Sequence, residues 1–370
     1  DVANDAMDIH GGKGIMRGPK NYLSSGYDSV PVAITVEGAN ILTRSLMIFG
    51  QGAIRCHPFV LEEIHAAQDE DRRRGLERFD KALFGHIGFA FSNAARALVM
   101  GITRARFAEA PGEGPTHRFY QHITRYSAAF ALVSDVAMLT LGGALKKKEM
   151  LSARLGDILS NLYLASMVLK HWENQGRPAA DLPLVEWSVR KLMYNAQEQL
   201  HAFLRNFPNR WISRGLRLLV FPTGRTFSAP SDLLARRVVE LLISPTDTRD
   251  RLCAGIYRTV RDDNPLGLLQ EAMELSVKLT GLEKKLRRGV KDGLVTAPDY
   301  ATQLVQAVEN GVLTGEEADQ LRELDDKVMN LIHVDEFEPG AFARRSEPAP
   351  GKTRSPRAVK TTPPPAAMEA

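Results

Sequence analysis

Residues 119–141 have the sequence FYQHITRYSAAFALVSDVAMLTL. Apolar side chains recur here every three or four positions and form one stripe over about six helical turns: Phe119, Ile123, Tyr126, Phe130, Val133, Ala137 and Leu141. Similar periodicity predicts further helices over residues 76–110, 146–175, 183–206, 230–243 and 264–290. Because strands do not alternate with these helices, the sequence predicts an all-α fold.

A helical hairpin is predicted over residues 296–331. We expect each of its helices to begin with a capping box, in which a Thr side chain and an acidic side chain three residues later bond each other's backbone; the two pairs are Thr296 with Asp299 and Thr314 with Glu317. Gly311 stands where a left-handed cap would end the first helix.

Composition excludes several classes of protein. The chain has 370 residues, of which 44% are hydrophobic and 25% charged, and this ratio excludes disorder of the whole chain. The two cysteines, Cys56 and Cys253, lie too far apart in sequence for a disulfide scaffold. A net charge of +4 is too small to argue for nucleic-acid binding, so we expect no nucleic-acid partner.

The two ends of the chain differ from its middle. From residue 338 to 370 the composition is rich in Pro, Ala, Arg, Lys and Thr with little apolar bulk, which predicts a disordered tail. The chain begins at Asp1 without an initiator Met and reaches a glycine cluster within a few residues. We therefore expect it to be part of a longer protein.

The glycine cluster, Gly11-Gly12-Lys13-Gly14, is the first candidate binding element. Three glycines in four positions let the backbone approach a ligand closely and direct N–H groups at a phosphate. The spacing matches neither the dinucleotide fingerprint nor the P-loop. From spacing alone, a tight loop after a helix remains the alternative.

Glu37 is the candidate catalytic residue. It ends an apolar run and precedes Gly38, which leaves space beside the carboxylate for a substrate. Apolar surroundings raise the pKa of a carboxyl group, so that it can act as a base near neutral pH. The alternative from spacing alone is a carboxylate that stabilises the start of a helix.

Together these two elements resemble the acyl-CoA dehydrogenase family. Residues 6–15, AMDIHGGKGI, resemble its flavin motif, and residues 31–44, PVAITVEGANILTR, resemble its catalytic-glutamate motif. The similarity is greatest to the large bacterial long-chain (FadE-type) members and extends over the chain up to the tail. It implies that residues 1–75 are the end of the C-terminal helical domain, incomplete at its start, and that residues 76–337 are an additional helical accessory domain.

The resemblance also implies roles. Glu37 would remove the α-proton of a fatty acyl-CoA thioester while the β-hydride passes to FAD, giving a trans-2-enoyl-CoA. The backbone N–H of Glu37 would polarise the thioester carbonyl, and Gly38 would lie beside the substrate. The adenosine-pyrophosphate part of FAD would lie along Gly11, Gly12 and Gly14. Asn40 would contact the flavin in place of the family's Thr, where this chain has Ala39.

The implied function is FAD-dependent dehydrogenation of medium- to long-chain acyl-CoA in fatty acid β-oxidation. A flavoprotein or a quinone-linked protein would accept the electrons. Because FAD often contacts a neighbouring subunit in this family, the resemblance implies a homo-oligomer, in the bacterial cytoplasm or at the inner-membrane surface. The family's β-domain, which holds the flavin ring, has no counterpart in residues 1–370, so we expect this chain alone neither to bind FAD tightly nor to turn over.

Two further segments invite other interpretations. Cys56, His57 and His65 match no standard zinc spacing, so we expect no metal site. Residues 126–145 are long enough to cross a bilayer, but Asp135 and several polar residues favour a buried bundle helix.

Residues 199–231 contain no Asp or Glu and mix apolar side chains with five arginines: Arg205, Arg210, Arg214, Arg217 and Arg225. This mixture is typical of a segment that lies on a membrane surface. A basic helix packed on an acidic neighbour and a site for CoA phosphates remain alternatives. The non-enzymatic alternative for the whole chain is a helical scaffold or membrane-association module, with Glu37 a vestige.

Overall fold

The computed structural model describes residues 2–17, 21–32, 43–111 and 114–333. Within these ranges the chain forms helices and turns and no strand, which confirms the predicted all-α fold. The predicted disordered tail, residues 338–370, lies outside the described residues.

The helices up to the bundle are α1 (Val2–His10), α2 (Gly12–Ile15), α3 (Ser24–Ser29), a π-helix (Thr43–Gln51), α4 (Gly52–Cys56), α5 (Val60–Ala67) and α6 (Arg72–Ile102). The bundle continues with α7 (His117–Leu141), α8 (Glu149–Asn174), α9 (Leu182–Arg205), α10 (Arg210–Val220), α11 (Asp232–Ile243) and α12 (Asp247–Leu252). The last three are α13 (Pro265–Lys291), α14 (Tyr300–Glu309) and α15 (Gly315–Ile332).

The periodic segments are confirmed as helices. The predicted end of the helix at residues 76–110 is wrong. Helix α6 begins at Arg72, where the Asp71 side chain accepts hydrogen bonds from the N–H groups of Arg73 and Arg74. The predicted domain boundary between residues 75 and 76 falls inside this helix. The helix ends at Ile102 rather than near residue 110, because Arg104 and Ala105 adopt positive φ angles of 51° and 60°, which a helix cannot accommodate.

The main core lies between α7, α8 and α9, with contributions from the π-helix, α6 and α10. Val133, Leu155, Val189 and Leu200 are each fully buried. Burial of a side chain of this size contributes about 1.5–3 kcal/mol relative to exposure. The core therefore stabilises mainly the packing of these three long helices.

Helix α7 belongs to the segment His117–Lys147, which among the described residues is long and apolar enough to cross a membrane. Its residues Tyr126, Val133 and Ala137 lie in the main core. Its one carboxylate, Asp135, is also buried and contacts a histidine. The side-chain packing is that of a helix inside the bundle.

The C-terminal hairpin has a core of its own, built from α13, α14 and α15. The capping box of Thr314 with Glu317 is confirmed, and Gly311 has the expected positive φ, 69°. The predicted box of Thr296 with Asp299 is wrong. Asp299 is itself the N-cap and accepts from Thr302 N at 2.9 Å, whereas Thr296 N donates to the side chain of Gln306.

Helix α8 approaches the π-helix closely at Gly156. A Cβ atom at this position would lie 2.8 Å from the carbonyl oxygen of Arg44. Glycine, which has no Cβ atom, is therefore required at this position for the π-helix to contact α8 so closely.

We predict that Gly156→Ala lowers the free energy of unfolding by about 1–3 kcal/mol, since the added methyl overlaps a backbone atom that cannot swing aside. Gly281 in α13 is the matched control, because a Cβ there meets nothing within 4 Å. Gly281→Ala should raise stability by up to about 1 kcal/mol through helix propensity. Urea denaturation followed by circular dichroism measures both; equal stability of the two variants would contradict the prediction.

Candidate functional site

The predicted catalytic and substrate residues, Glu37 and Gly38, and the predicted flavin contact Asn40 lie outside the described residues. The described chain resumes at Thr43, six peptide steps after Glu37. A fully extended chain of that length spans at most about 22 Å. Residues 43–57 follow the predicted base in sequence, and we call them the base-proximal segment.

The base-proximal segment is seated in the main core. Its first part is the π-helix, a rare conformation that is frequent at functional sites. Phe49 is 2% exposed, and its ring meets that of Phe130 edge-on with the centroids 6.3 Å apart. Burial of this ring fixes the middle of the segment against α7.

An ion pair fixes the start of the segment. Arg44 Nε lies 2.8 Å from Asp157 Oδ1, and Arg44 Nη2 lies 2.9 Å from Asp157 Oδ2. Such a two-point contact sets the orientation of the guanidinium as well as its position. Asp157 is next to Gly156 on α8. The ion pair of Arg44 with Asp157 and the close approach of Arg44 O to Gly156 therefore hold the same end of the segment.

A buried hydrogen bond fixes the other end. His57 Nδ1 accepts from Phe59 N at 3.2 Å and from Val60 N at 3.1 Å, at the start of α5. The ring proton must therefore be on Nε2, which donates to Asp135 Oδ1 at 3.0 Å. The side chains of His57 and Asp135 are only 7% and 6% exposed.

Two more groups complete this cluster. His86 Nδ1 lies 2.8 Å from Glu63 Oε1, and His86 Nε2 lies 3.9 Å from Asp135 Oδ1. Burial raises the pKa of Asp135 and lowers the pKa of His57. The His57 imidazole therefore stays neutral, as its hydrogen bonds to backbone N–H groups require.

The sequence did not show that His86, Glu63 and Asp135 join His57 in one cluster, because they lie on three separate helices. One signal was available: a single carboxylate in an otherwise apolar helix, Asp135, needs a buried partner.

The donor atoms of His57, His86 and Asp135 lie within 4.8 Å of one another, close enough for a metal ion to be considered. His57 does not fit as a ligand, because a neutral imidazole that accepts at Nδ1 carries its proton on Nε2. Cys56 and His65, considered with His57 from the sequence, do not join the cluster; both are exposed. The arrangement suits hydrogen bonding between helices.

An apolar cavity of about 310 Å³ separates part of the base-proximal segment from the bundle. Ile48 and Phe49 line one side, and Phe130, Met138 and Leu159 the other. The segment is therefore fixed at both ends and at Phe49, and unfilled apolar space lies beside it.

The glycine cluster divides into two parts. A Cβ on Gly11 or Gly12 would meet nothing within 4 Å, so the backbone there is open to a ligand. Gly14 is buried, and a Cβ on it would lie 3.3 Å from Met7 O. The N–H groups of Gly11 and Gly14 already donate to Met7 O and Gly11 O. The open edge at Gly11 and Gly12 fits the close approach of a pyrophosphate, whereas Gly14 packs against α1.

Lys13 ties this loop to the far end of the chain. Its Nζ donates to the carbonyl oxygen of Leu331 at the end of α15, and it lies 5.8 Å from the centre of the Tyr22 ring. This hydrogen bond links the candidate flavin loop to the end of α15.

A family model covers most of the chain. The family model described as "Acyl-CoA dehydrogenase, C-terminal, bacterial type" matches residues 54–337, which include His57, His86, Asp135 and Asp157. A search of the solved structures found no match. The chain belongs to the bacterial-type acyl-CoA dehydrogenase C-terminal family.

Proposed function

We propose that this chain carries the catalytic-base region of an FAD-dependent acyl-CoA dehydrogenase that acts on medium- to long-chain acyl-CoA in fatty acid β-oxidation. Family membership supports a general acyl-CoA dehydrogenase role. The observation that carries the finer proposal is the base-proximal segment, which is fixed at both ends by Arg44–Asp157 and His57–Asp135. A catalytic base needs such restraint, because small displacements from the reacting atom cost rate.

In this proposal Glu37 removes the α-proton of the thioester. That proton is only weakly acidic, and it becomes removable when a hydrogen bond from the backbone N–H of Glu37 polarises the carbonyl oxygen. Gly38 leaves room for the substrate beside the carboxylate. FAD, when bound, accepts the hydride from the β-carbon.

Gly11, Gly12 and Gly14 are the proposed flavin-binding glycines, with the open backbone of the first two nearest the pyrophosphate. Asn40 is proposed as a further flavin contact. A β-domain holds the flavin ring in this family, and the described residues form no strand. We therefore propose that the chain alone is inactive. A homo-oligomer and a flavoprotein or quinone-linked electron acceptor complete the proposed system.

A place at the inner-membrane surface of the bacterial cytoplasm is supported by α10. Leu216 and Val220 bury one face of this helix, whereas Trp211 and Leu218 are 76% and 67% exposed on the other. The guanidinium of Arg214 lies 5.1 Å from the centre of the Trp211 ring. Exposed aromatic and apolar side chains among arginines are typical of helices that lie on anionic lipid.

The arginines of this face are Arg210, Arg214 and Arg217; all are exposed, and none forms an ion pair with a carboxylate in the described parts of the chain. Of the alternatives left open by the sequence, packing on an acidic neighbour is therefore not seen for this helix within those ranges. The exposed face of α10 would also be the membrane-binding surface if the chain were a non-catalytic helical scaffold or membrane-association module.

Glu37→Gln in the full-length protein should lower dehydrogenation of palmitoyl-CoA at least about 100-fold, since the amide cannot accept the α-proton. Flavin content should not change. The assay uses an artificial electron acceptor, with Glu77→Gln as the control because Glu77 forms only an exposed pair with Arg73. Wild-type turnover by the Glu37 variant would reject the assigned base.

Asp157→Ala should lower kcat about tenfold with little change in KM, because it releases the start of the segment that positions Glu37. Asp157→Glu should restore part of the rate. The double variant Arg44→Ala, Asp157→Ala should be no slower than either single variant, since both remove one contact. Asp319→Ala, which breaks an exposed pair within α15, is the control; rates equal to that control would refute the positioning role.

Charge reversal of α10, Arg214→Glu with Arg217→Glu, should weaken sedimentation with vesicles that contain anionic phosphatidylglycerol. Each arginine near such a surface contributes about 1 kcal/mol, so reversal of two should lower the partition coefficient at least about 100-fold. Arg287→Glu with Arg288→Glu on α13 makes the same change of net charge and should have little effect. If both pairs behave alike, the membrane assignment of α10 fails.

A further inference from the structure

A second polar site lies on the opposite side of α7 from the base-proximal contacts. One cavity of about 310 Å³ is lined by the start of α7, by α9 and by Phe227. An adjoining cavity of about 290 Å³ shares Glu186 and Arg190 with it and extends to Arg237 on α11. We call the two together the arginine cleft.

Positive charge dominates the cleft. Arg118, Arg190 and Arg237 line it, and Glu186 is the one carboxylate among its described lining residues. Glu186 bonds only Nε of Arg190, at 2.8 Å. Arg118 and Arg237 form no ion pair with any carboxylate that the structure describes.

The guanidinium of Arg118 is held in place by neutral acceptors. Its Nη2 donates to Arg104 O at 2.8 Å, and its Nη1 donates to the side chain of Gln121. These contacts fix the group without neutralising it. A fixed, uncompensated guanidinium at a cavity wall is well suited to bind a phosphate.

A buried arginine adds to the positive potential. Arg125 is 2% exposed, and its guanidinium bonds Thr226 Oγ1 at 3.1 Å and Val220 O at 3.3 Å. No carboxylate in the described ranges forms an ion pair with it. A buried charge without a counter-ion is costly, and a bound anion nearby would lower that cost.

The pKa of His122 is lowered by burial and by this positive potential. Burial, followed by Arg118, Arg125 and Arg190, lowers its pKa to about 4. Arg118 Nη2 donates to His122 Nε2 at 3.4 Å, so the ring proton is on Nδ1. That Nδ1 is buried and has no hydrogen-bond partner.

Flat apolar surfaces flank the charged groups. Phe119, Pro115 and Phe227 line the same cavity. The backbone at Phe227 is fixed, because Gln197 Oε1 accepts from both Thr226 N and Phe227 N, at 2.8 and 2.9 Å. Guanidinium groups beside rigid rings suit a ligand that has phosphates at one end and an aromatic base at the other.

We propose that the arginine cleft binds a nucleoside phosphate, with the phosphates on Arg118 and Arg190 and the base against Phe119 and Phe227. Free nucleotides and coenzyme A share this chemistry. The inference does not rest on the proposed dehydrogenase activity, and the cleft uses none of the residues of the glycine loop.

Isothermal titration calorimetry of the 370-residue chain with ADP, coenzyme A, pyrophosphate and adenosine tests the proposal. We expect ADP to bind more tightly than pyrophosphate, and adenosine to bind at least about tenfold more weakly than ADP, because it lacks the charge-assisted bonds. Tighter binding of coenzyme A than of ADP would identify it as the source, and the reverse order would identify free nucleotides. Pyrophosphate binding as tight as that of ADP would overturn the assignment of a base site.

Variants show where the ligand binds. Arg118→Gln with Arg190→Gln should weaken ADP binding at least about tenfold, whereas Arg287→Gln with Arg288→Gln, an equal change of charge on α13, should not. Arg118→Lys should retain part of the affinity. Unchanged affinity of the Arg118, Arg190 variant would overturn the proposal and indicate the glycine loop instead.

A readout in the wild-type protein avoids dependence on variants that fail to fold. The His122 ring signal, followed by NMR against pH, should titrate at higher pH when ADP is present, because the phosphates offset the neighbouring arginines. A His122 titration that ADP does not change would overturn the proposal.

Discussion

The hydrogen bond from His57 Nε2 to Asp135 Oδ1 lies where the N-terminal segment meets the helical bundle, and both side chains are almost fully buried. A buried carboxylate is costly unless it is hydrogen-bonded, and a buried imidazole must hold its proton on the correct nitrogen. Here the first N–H groups of α5 settle the tautomer, since they occupy His57 Nδ1. The backbone at the start of α5 thus determines how His57, at the end of the base-proximal segment, bonds to α7.

Under the proposed function, this bond gives the bundle a positioning role. Asp135 on α7 and Asp157 on α8 hold opposite ends of the segment that follows Glu37. Neither aspartate lies in residues 6–15 or 31–44, the two segments that resemble the family's motifs. The family match over residues 54–337 includes His57 and both aspartates, whereas Arg44 lies before it.

Sequence patterns predicted the structure correctly where it depends on interactions between residues close in sequence. The stripe on residues 119–141 and the pair Thr314 and Glu317 depend on neighbours within one or two turns, and both are confirmed. The early end of α6 was missed because positive φ at Arg104 and Ala105 has no reliable signal in those residue types. His86 and Arg118 were missed because their partners come from other helices, so that only the folded chain brings them together.

The way in which the core is shared has a consequence for folding cooperativity. Phe49 packs into the main core between α7, α8 and α9. Helices α13, α14 and α15 enclose a separate core. Among the described residues, the base-proximal segment contributes its buried ring, Phe49, to the core of the bundle, so the two should unfold in a single transition. Helices α13 to α15 pack on a core of their own, which is typical of a separate cooperative unit.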